Sequence, residues 1–162
     1  MRKLLILILS LFMIVLSFAT TIKGKVVKVA DGDTITILEE NGDKTRVRFY
    51  GIDAPEKKQE YGIKSLDVLK KLIDKKEVEV DIKDKDQYGR IVGIVYYNGM
   101  NINLHMLETG NAWWYKQYSK HNIEFGVAEE KAKIERLGLW KENNPTPPWT
   151  YRKNKKINRE NW

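Results

Sequence analysis

The sequence predicts an α+β fold rich in β-structure: a small barrel of five short strands with about three helices. Three observations carry this expectation. Turn signals at Asp31-Gly32 and Asn41-Gly42 separate three β-branched stretches at hairpin spacing. One strongly periodic helical stretch follows, then two more alternating stretches, then two further helical ones. Three strands, a helix and two strands suit the OB-fold, a five-stranded, partly open Greek-key barrel.

Each element has a local reason. Residues 22–29, IKGKVVKV, read as the first strand, and Asp31–Thr34 as a tight turn. Thr34–Glu40 is β-branched and returns as the second strand. After the turn Asn41–Asp43, Lys44–Ile52 reads as the third strand, which leaves Asp33 and Asp53 close to strand ends. In the helix that follows, Ile63, Leu66, Leu69, Leu72 and Ile73 fall on one face. Glu77–Lys83 alternates as a strand with Val78, Val80 and Ile82 inward. Asp84–Arg90 is a turn, and Ile91–Tyr97 is a strand closed by Asn98-Gly99. A short helix ends at Gly110, a favourable C-terminal cap. A longer helix runs from about Glu124 to Leu137.

The ends read differently. Residues 1–19 have Arg2 and Lys3, an apolar run from Leu4 to Phe18, and small residues Ser17 and Ala19. That is the layout of a secretory signal peptide; an uncleaved anchor is the alternative. A domain over 20–142 and a Pro-rich basic tail over 143–162 are expected, the tail solvated and partly disordered. The chain has 162 residues, a formal net charge of +7 and 42 % apolar residues. This suits one folded domain, and the basic balance favours polyanions. No cysteine is present, which excludes disulfides, thiolate metal sites and cysteine nucleophiles. His105 and His121 lack metal-like mutual spacing.

Three turns combine acids with bases or glycines: Asp31-Gly32-Asp33-Thr34, Asp53-Ala54-Pro55-Glu56 and Asp86-Gln87-Tyr88-Gly89-Arg90. Taken singly, each has a plain structural reading as a hairpin, an Asx-turn or a loop. Together with Arg48 they supply another chemistry. Carboxylates and a backbone carbonyl suit a hard cation such as Ca²⁺. Two arginines suit a phosphate, and a remaining glutamate can act on water. These are the parts needed to hydrolyse a phosphodiester.

In order and spacing, DGDT, RVRFYGIDAPE and DQYGR resemble the staphylococcal nuclease family over roughly residues 21–140. The resemblance implies a Ca²⁺-dependent endonuclease on an OB-fold barrel, acting on DNA and RNA with little sequence preference and leaving 3′-phosphates. It implies Asp33 and Asp53 as carboxylate ligands of Ca²⁺, with Ala54 contributing its carbonyl. It implies Glu56 as general base and Arg48 and Arg90 as binders of the scissile phosphate. Tyr88 and Tyr118 fall at nucleotide-contacting positions. Gln87 and Lys116 depart from the pattern, standing where some members have a phosphate-binding lysine and a second nucleotide tyrosine. Trp113, Trp114 and Tyr115 admit two readings, packing against the barrel or a base-stacking shelf. A monomer is expected, secreted or held at the cell surface by its leader. The competing class is a noncatalytic nucleic-acid-binding OB module, for which Glu56 and the paired aspartates would have no use.

Overall fold

The computed structural model describes residues 20–160, with side chains to residue 158. The leader read over residues 1–19 lies outside the described residues. Along the chain the elements are β1 (Thr21–Asp31), β2 (Thr34–Leu38), β3 (Lys44–Phe49), β4 (Ile52–Asp53) and α1 (Gly62–Ile73). Then come β5 (Glu77–Lys85), β6 (Ile91–Tyr97), β7 (Met100–Asn101), α2 (Ile102–Glu108) and β8 (Trp113–Trp114). The chain ends with α3 (Lys116–Ser119), α4 (Ile123–Ile134), a 3₁₀ turn (Gly138–Lys141) and α5 (Pro148–Glu160).

The main sheet runs β3-β2-β1-β5-β6-β7, and a parallel β3–β6 pairing closes it into a five-stranded barrel. β1 is long because it serves two neighbours. Its first half pairs with β5 and its second with β2, and register shifts after Val26 and Val29 bend it between them. Period-two alternation fills the barrel: Val47 and Phe49 of β3, Ile35 and Ile37 of β2, and Val80 of β5 are all buried. Leu69 and Ile73 of α1, Met106 and Leu107 of α2 and Phe125 of α4 pack into the same core. Each such side chain contributes about 1.5–3 kcal/mol on burial. This is the expected OB-type α+β fold, with five α-helices among the described residues rather than about three. None of them is long and apolar enough to cross a membrane.

Several expectations are corrected locally. The third strand does not run through to Ile52. It stops at Phe49, Gly51 turns the chain at φ 72°, and Ile52–Asp53 starts a separate pairing with β8. A Cβ at Gly51 would collide with Ser119 and Phe125, so the turn also needs the missing side chain. Ile63 is exposed, because α1 turns Leu66, Leu69 and Ile73, among its large apolar side chains, squarely inward. Ile82 is half-buried, since it lies where the β5–β6 register shifts. The helix expected to reach Leu137 stops at Ile134; Arg136 turns left-handed and Leu139 is buried from the 3₁₀ turn.

The largest correction concerns the tail. Residues 148–160 form a helix where partial disorder was expected, although residues 152–158 remain exposed to solvent as expected. Pro148 opens it at the first helical position, where proline's missing N–H costs nothing. Gln59 Nε2 donates to the Thr146 carbonyl at 2.6 Å, and Tyr151 Oη to the Lys58 carbonyl at 3.3 Å. Trp149 stacks on Tyr115 with centroids 5.5 Å apart and meets Trp113 edge-on at 5.7 Å. Polar and aromatic contacts thus seat α5 beside the segment that follows Asp53.

Candidate active site

β-Sheet register brings the first residues together. Thr34 pairs with Arg48 across β2 and β3, and the Phe49 N–H donates to the Asp33 carbonyl at 2.8 Å. Val47 and Phe49 face the core, so Arg48 faces the opposite side. There its guanidinium lies between two aspartates. Nη2 donates to Asp53 Oδ1 at 2.8 Å, and Nη1 stands 2.7 Å from Asp33 Oδ2. The second contact is an ion pair without hydrogen-bond alignment, which leaves Nη1 a buried donor with no hydrogen-bond partner. β4 holds Asp53 in place by pairing it with Trp113. Asp33 accepts from the Ala54 N–H at 2.5 Å and from Thr34 Oγ1 at 2.9 Å. This turn is tightly packed: a Cβ at Gly32 would collide with Ser65 and Ala54.

Glu56 joins the cluster through a residue that sequence reasoning did not single out. Arg152 of α5 reaches Asp53 with Nη2–Oδ2 at 2.7 Å and Nη1–Oδ1 at 3.1 Å. Its Nη1 also donates to Glu56 Oε1 at 2.9 Å. Asp53 therefore has both oxygens engaged, with Oδ1 shared by two arginines. The site is layered: the Asp53 side chain is 1 % exposed, Glu56 40 % and Arg152 42 %.

Burial sets the electrostatics. It pushes the Asp31 carboxyl up to about 7, with the Asp33 charge adding to the shift. It pushes Asp53 up as well, opposed by the Arg152 hydrogen bond and the two guanidinium charges. Burial works against the Arg48 charge, but Asp33, Asp53 and Asp31 outweigh it and the pKa of Arg48 is raised. Arg152, hydrogen-bonded to Asp53 and Glu56, is likewise raised. The result is a set of acids held close together by guanidinium groups.

The third sequence motif stands apart. Arg90 donates through Nε to Asp86 Oδ2 at 2.6 Å, and its guanidinium lies 5.6 Å from the Tyr88 ring. Burial alone would raise Asp86, but hydrogen bonds from the Arg90 side chain and the Arg90 and Tyr88 N–H groups hold it below its usual value. The parallel β3–β6 pairing sets Arg48 opposite Val92, so Arg90 ends up beside the strand that carries Arg48. Its side-chain contacts nevertheless remain within its own turn. Tyr88 is 75 % exposed and Tyr118 66 %. Tyr118 lies 4.9 Å from Tyr115 and ends an aromatic series that starts at Trp140 and passes through Trp113 and Trp149. Of the two readings of Trp113–Tyr115, packing describes their contacts here.

The donor set fits a hard cation by type. Asp33 and Asp53 are buried, acidic and close to the same guanidinium, and no thiolate exists to favour a softer metal. Among the described residues no three acids or histidines form a cage of their own. A bound ion would therefore need backbone carbonyl and water oxygens as well, which Ca²⁺ accepts.

Comparison with known proteins bears on what this arrangement is for. Residues 46–142, more than half of the chain, match the family model described as staphylococcal nuclease homologue. The chain belongs to the staphylococcal nuclease family. It is 44 % identical to an uncharacterized endonuclease of Haemophilus influenzae, over 97 % of this chain and 89 % of that one. It is 44 % identical to an uncharacterized endonuclease of Escherichia coli, over 83 % of this chain and 87 % of that one. A micrococcal nuclease of Shigella flexneri is 40 % identical, over 81 % of this chain and 80 % of its own. Arg152, which with Arg48 holds the acid cluster, lies beyond the matched region. One signal could have found it: Pro148 followed by Trp149 and Arg152, three apart and so on one helix face.

Proposed function

We propose that the protein is a secreted, calcium-dependent endonuclease that hydrolyses phosphodiester bonds of DNA and RNA with little sequence preference, leaving 3′-phosphates. The observation that carries this reading is the buried Asp33–Arg48–Asp53 triad with Glu56 joined to it at the barrel edge. Membership of a nuclease family and the basic composition support it. Export rests on the leader over residues 1–19. We further read the protein as a monomer.

Asp33 and Asp53, with the Ala54 carbonyl, would hold the Ca²⁺. When bound, the ion supplies positive charge next to the phosphate and neutralises the paired aspartates. Glu56 lies at the outer rim, where it can orient a water molecule and accept its proton. The new bond joins that water's oxygen to phosphorus; the bond from phosphorus to the 5′-oxygen breaks, and that oxygen leaves as a hydroxyl after taking a proton from solvent water. Arg48 faces the phosphate from the barrel side. Arg90 holds Asp86 through Nε, which leaves its two terminal nitrogens for a bidentate phosphate contact. Tyr88 and Tyr118 offer exposed rings to the bases, and stacking of that kind tolerates any sequence.

Magnitudes divide the work. A general base contributes about 10²–10⁴-fold, so Glu56 cannot supply a nuclease's rate enhancement alone. Charge stabilisation by the arginines and the ion must supply the larger share. The direct test is digestion of denatured DNA and of RNA by the purified protein in millimolar Ca²⁺ and in a calcium chelator, with analysis of product ends. Calcium-dependent cutting that leaves 3′-phosphates is expected. Binding of nucleic acid without cutting in either condition would overturn the reading in favour of a noncatalytic OB module.

A further inference from the structure

The α5 helix lies outside the matched family region, yet Arg152 from its second turn reaches into the site. Its backbone is seated by contacts that do not involve the reacting groups: Trp149 on Tyr115 and Trp113, Tyr151 on Lys58, and Gln59 on Thr146. Arg152 leaves that anchored backbone as a long side chain, 42 % exposed, with its guanidinium on Asp53 and Glu56. A side chain so placed can change partner while the helix stays put.

The contacts force such a choice. Arg152 engages both oxygens of Asp53, and Arg48 already shares one of them. A cation taking an Asp53 oxygen competes with this guanidinium for the same lone pairs. Charge points to where Arg152 then goes. Among the groups in direct contact, Asp33, Asp53 and Glu56 face Arg48 and Arg152, which leaves one negative charge over, and Asp31 behind Asp33 adds to it as it ionises. A dication reverses that to one positive charge, which one phosphodiester neutralises. The arginine fork suits a phosphate as well as a carboxylate. Farther along α5, Lys153 and Lys155 are exposed.

We propose that Arg152 is a third arginine of the active site: it holds Asp53 and Glu56 in the free protein and passes to a phosphate of the nucleic acid when a cation takes the Asp53 carboxylate. The proposal rests on the reading of Asp53 as a cation ligand and of nucleic acid as substrate. It makes α5 one wall of the substrate groove, with Arg152 as a substrate-binding residue.

Two equilibrium measurements test it. In the first, calcium is titrated calorimetrically into the wild type and into Arg152→Ala, without nucleic acid. Loss of a half-exposed competitor should tighten calcium binding about two- to fivefold. In the second, a single-stranded oligonucleotide is titrated in calcium over a salt series, using Glu56→Gln and Glu56→Gln/Arg152→Ala so that the strand stays intact. The slope of log affinity against log salt should fall by about 0.7 without Arg152. Arg152→Lys should restore most of that slope, and Arg152→Gln repeats both measurements if the alanine variant proves less stable. An unchanged or weaker calcium affinity in the variants, or an unchanged slope, overturns the proposal. If the wild type binds calcium and cuts while the variants show no change, the role of Arg152 alone is lost. A wild type that neither binds calcium nor cuts removes the nuclease reading and this proposal with it.

Discussion

Asp33, Arg48 and Asp53 sit at strand ends whose positions are set by barrel register, and they are buried against one another. Glu56, Arg90 and Arg152 sit on a loop, a turn and a terminal helix, and are more exposed. Both groups consist of acids and arginines in contact, yet they are coupled to the fold very differently. In the first, charge balance is part of stability, because an unpaired buried carboxylate is expensive. In the second, the side chains themselves are partly solvated, so a change there falls mainly on chemistry and binding.

Arg48→Ala should be the harshest test of that division. It leaves Asp33 without its guanidinium partner and Asp53 with Arg152 alone, and should lower unfolding free energy by about 3–5 kcal/mol as well as abolish cutting. Urea denaturation read beside digestion measures both. An unchanged midpoint would break the comparison. Arg90→Ala should lose about 10³–10⁵-fold in turnover, as expected for an arginine on a transferring phosphate. Its stability should stay within about 0.5 kcal/mol of wild type. Glu56→Gln should lose about 10²–10⁴-fold with the same unchanged midpoint. A Glu56 variant more damaged than both arginine variants would shift the catalytic weight from charge stabilisation to proton transfer.

Smaller effects sharpen the outer half. Trp149→Ala removes the stacking on Tyr115 and the edge contact with Trp113, each pair being worth about 0.5–1.5 kcal/mol. Earlier proteolytic loss of residues 143–162, with the barrel's melting unchanged, is the expected readout. The smallest effect is acid-dependent. Asp86 is held below its ordinary value by the Arg90 and Tyr88 hydrogen bonds. Its folded value lies below its unfolded one, about 3.9, so its stabilisation is complete above that pH and is lost as pH falls through the folded value. The stability difference between wild type and Asp86→Asn should therefore be constant above pH ~5 and shrink below pH ~4.

Most of the barrel was legible because its signals are local. Asp31-Gly32 and Asn41-Gly42 make hairpins almost regardless of context, and the Val78–Val80 alternation matches a half-buried strand. Ile63 misled because helical periodicity defines a stripe, while the barrel's curvature decides how much of that stripe is covered. The break at Gly51 was hidden because Ile52 and Asp53 are themselves good continuations of a strand, and only β8 draws them elsewhere. Pro145, Pro147, Pro148 and the lysines made the tail read as partly disordered; its helix is held by the Trp113 and Tyr115 rings, the Lys58 carbonyl and the Gln59 amide, all far away in the chain.

By itself the sequence determined most of the barrel's strands and turns and the identities of Asp33, Arg48, Asp53 and Glu56 as reactive groups, since these depend on backbone preferences and side-chain chemistry within a few residues. Only the tertiary structure decided which acids meet which arginines. The barrel register set Arg48 against Asp33 and Asp53, while the docking of α5 brought Arg152 to Asp53 and Glu56 from 99 and 96 residues away. No local window contains such partners, because their meeting depends on burial and closure summed over the whole fold.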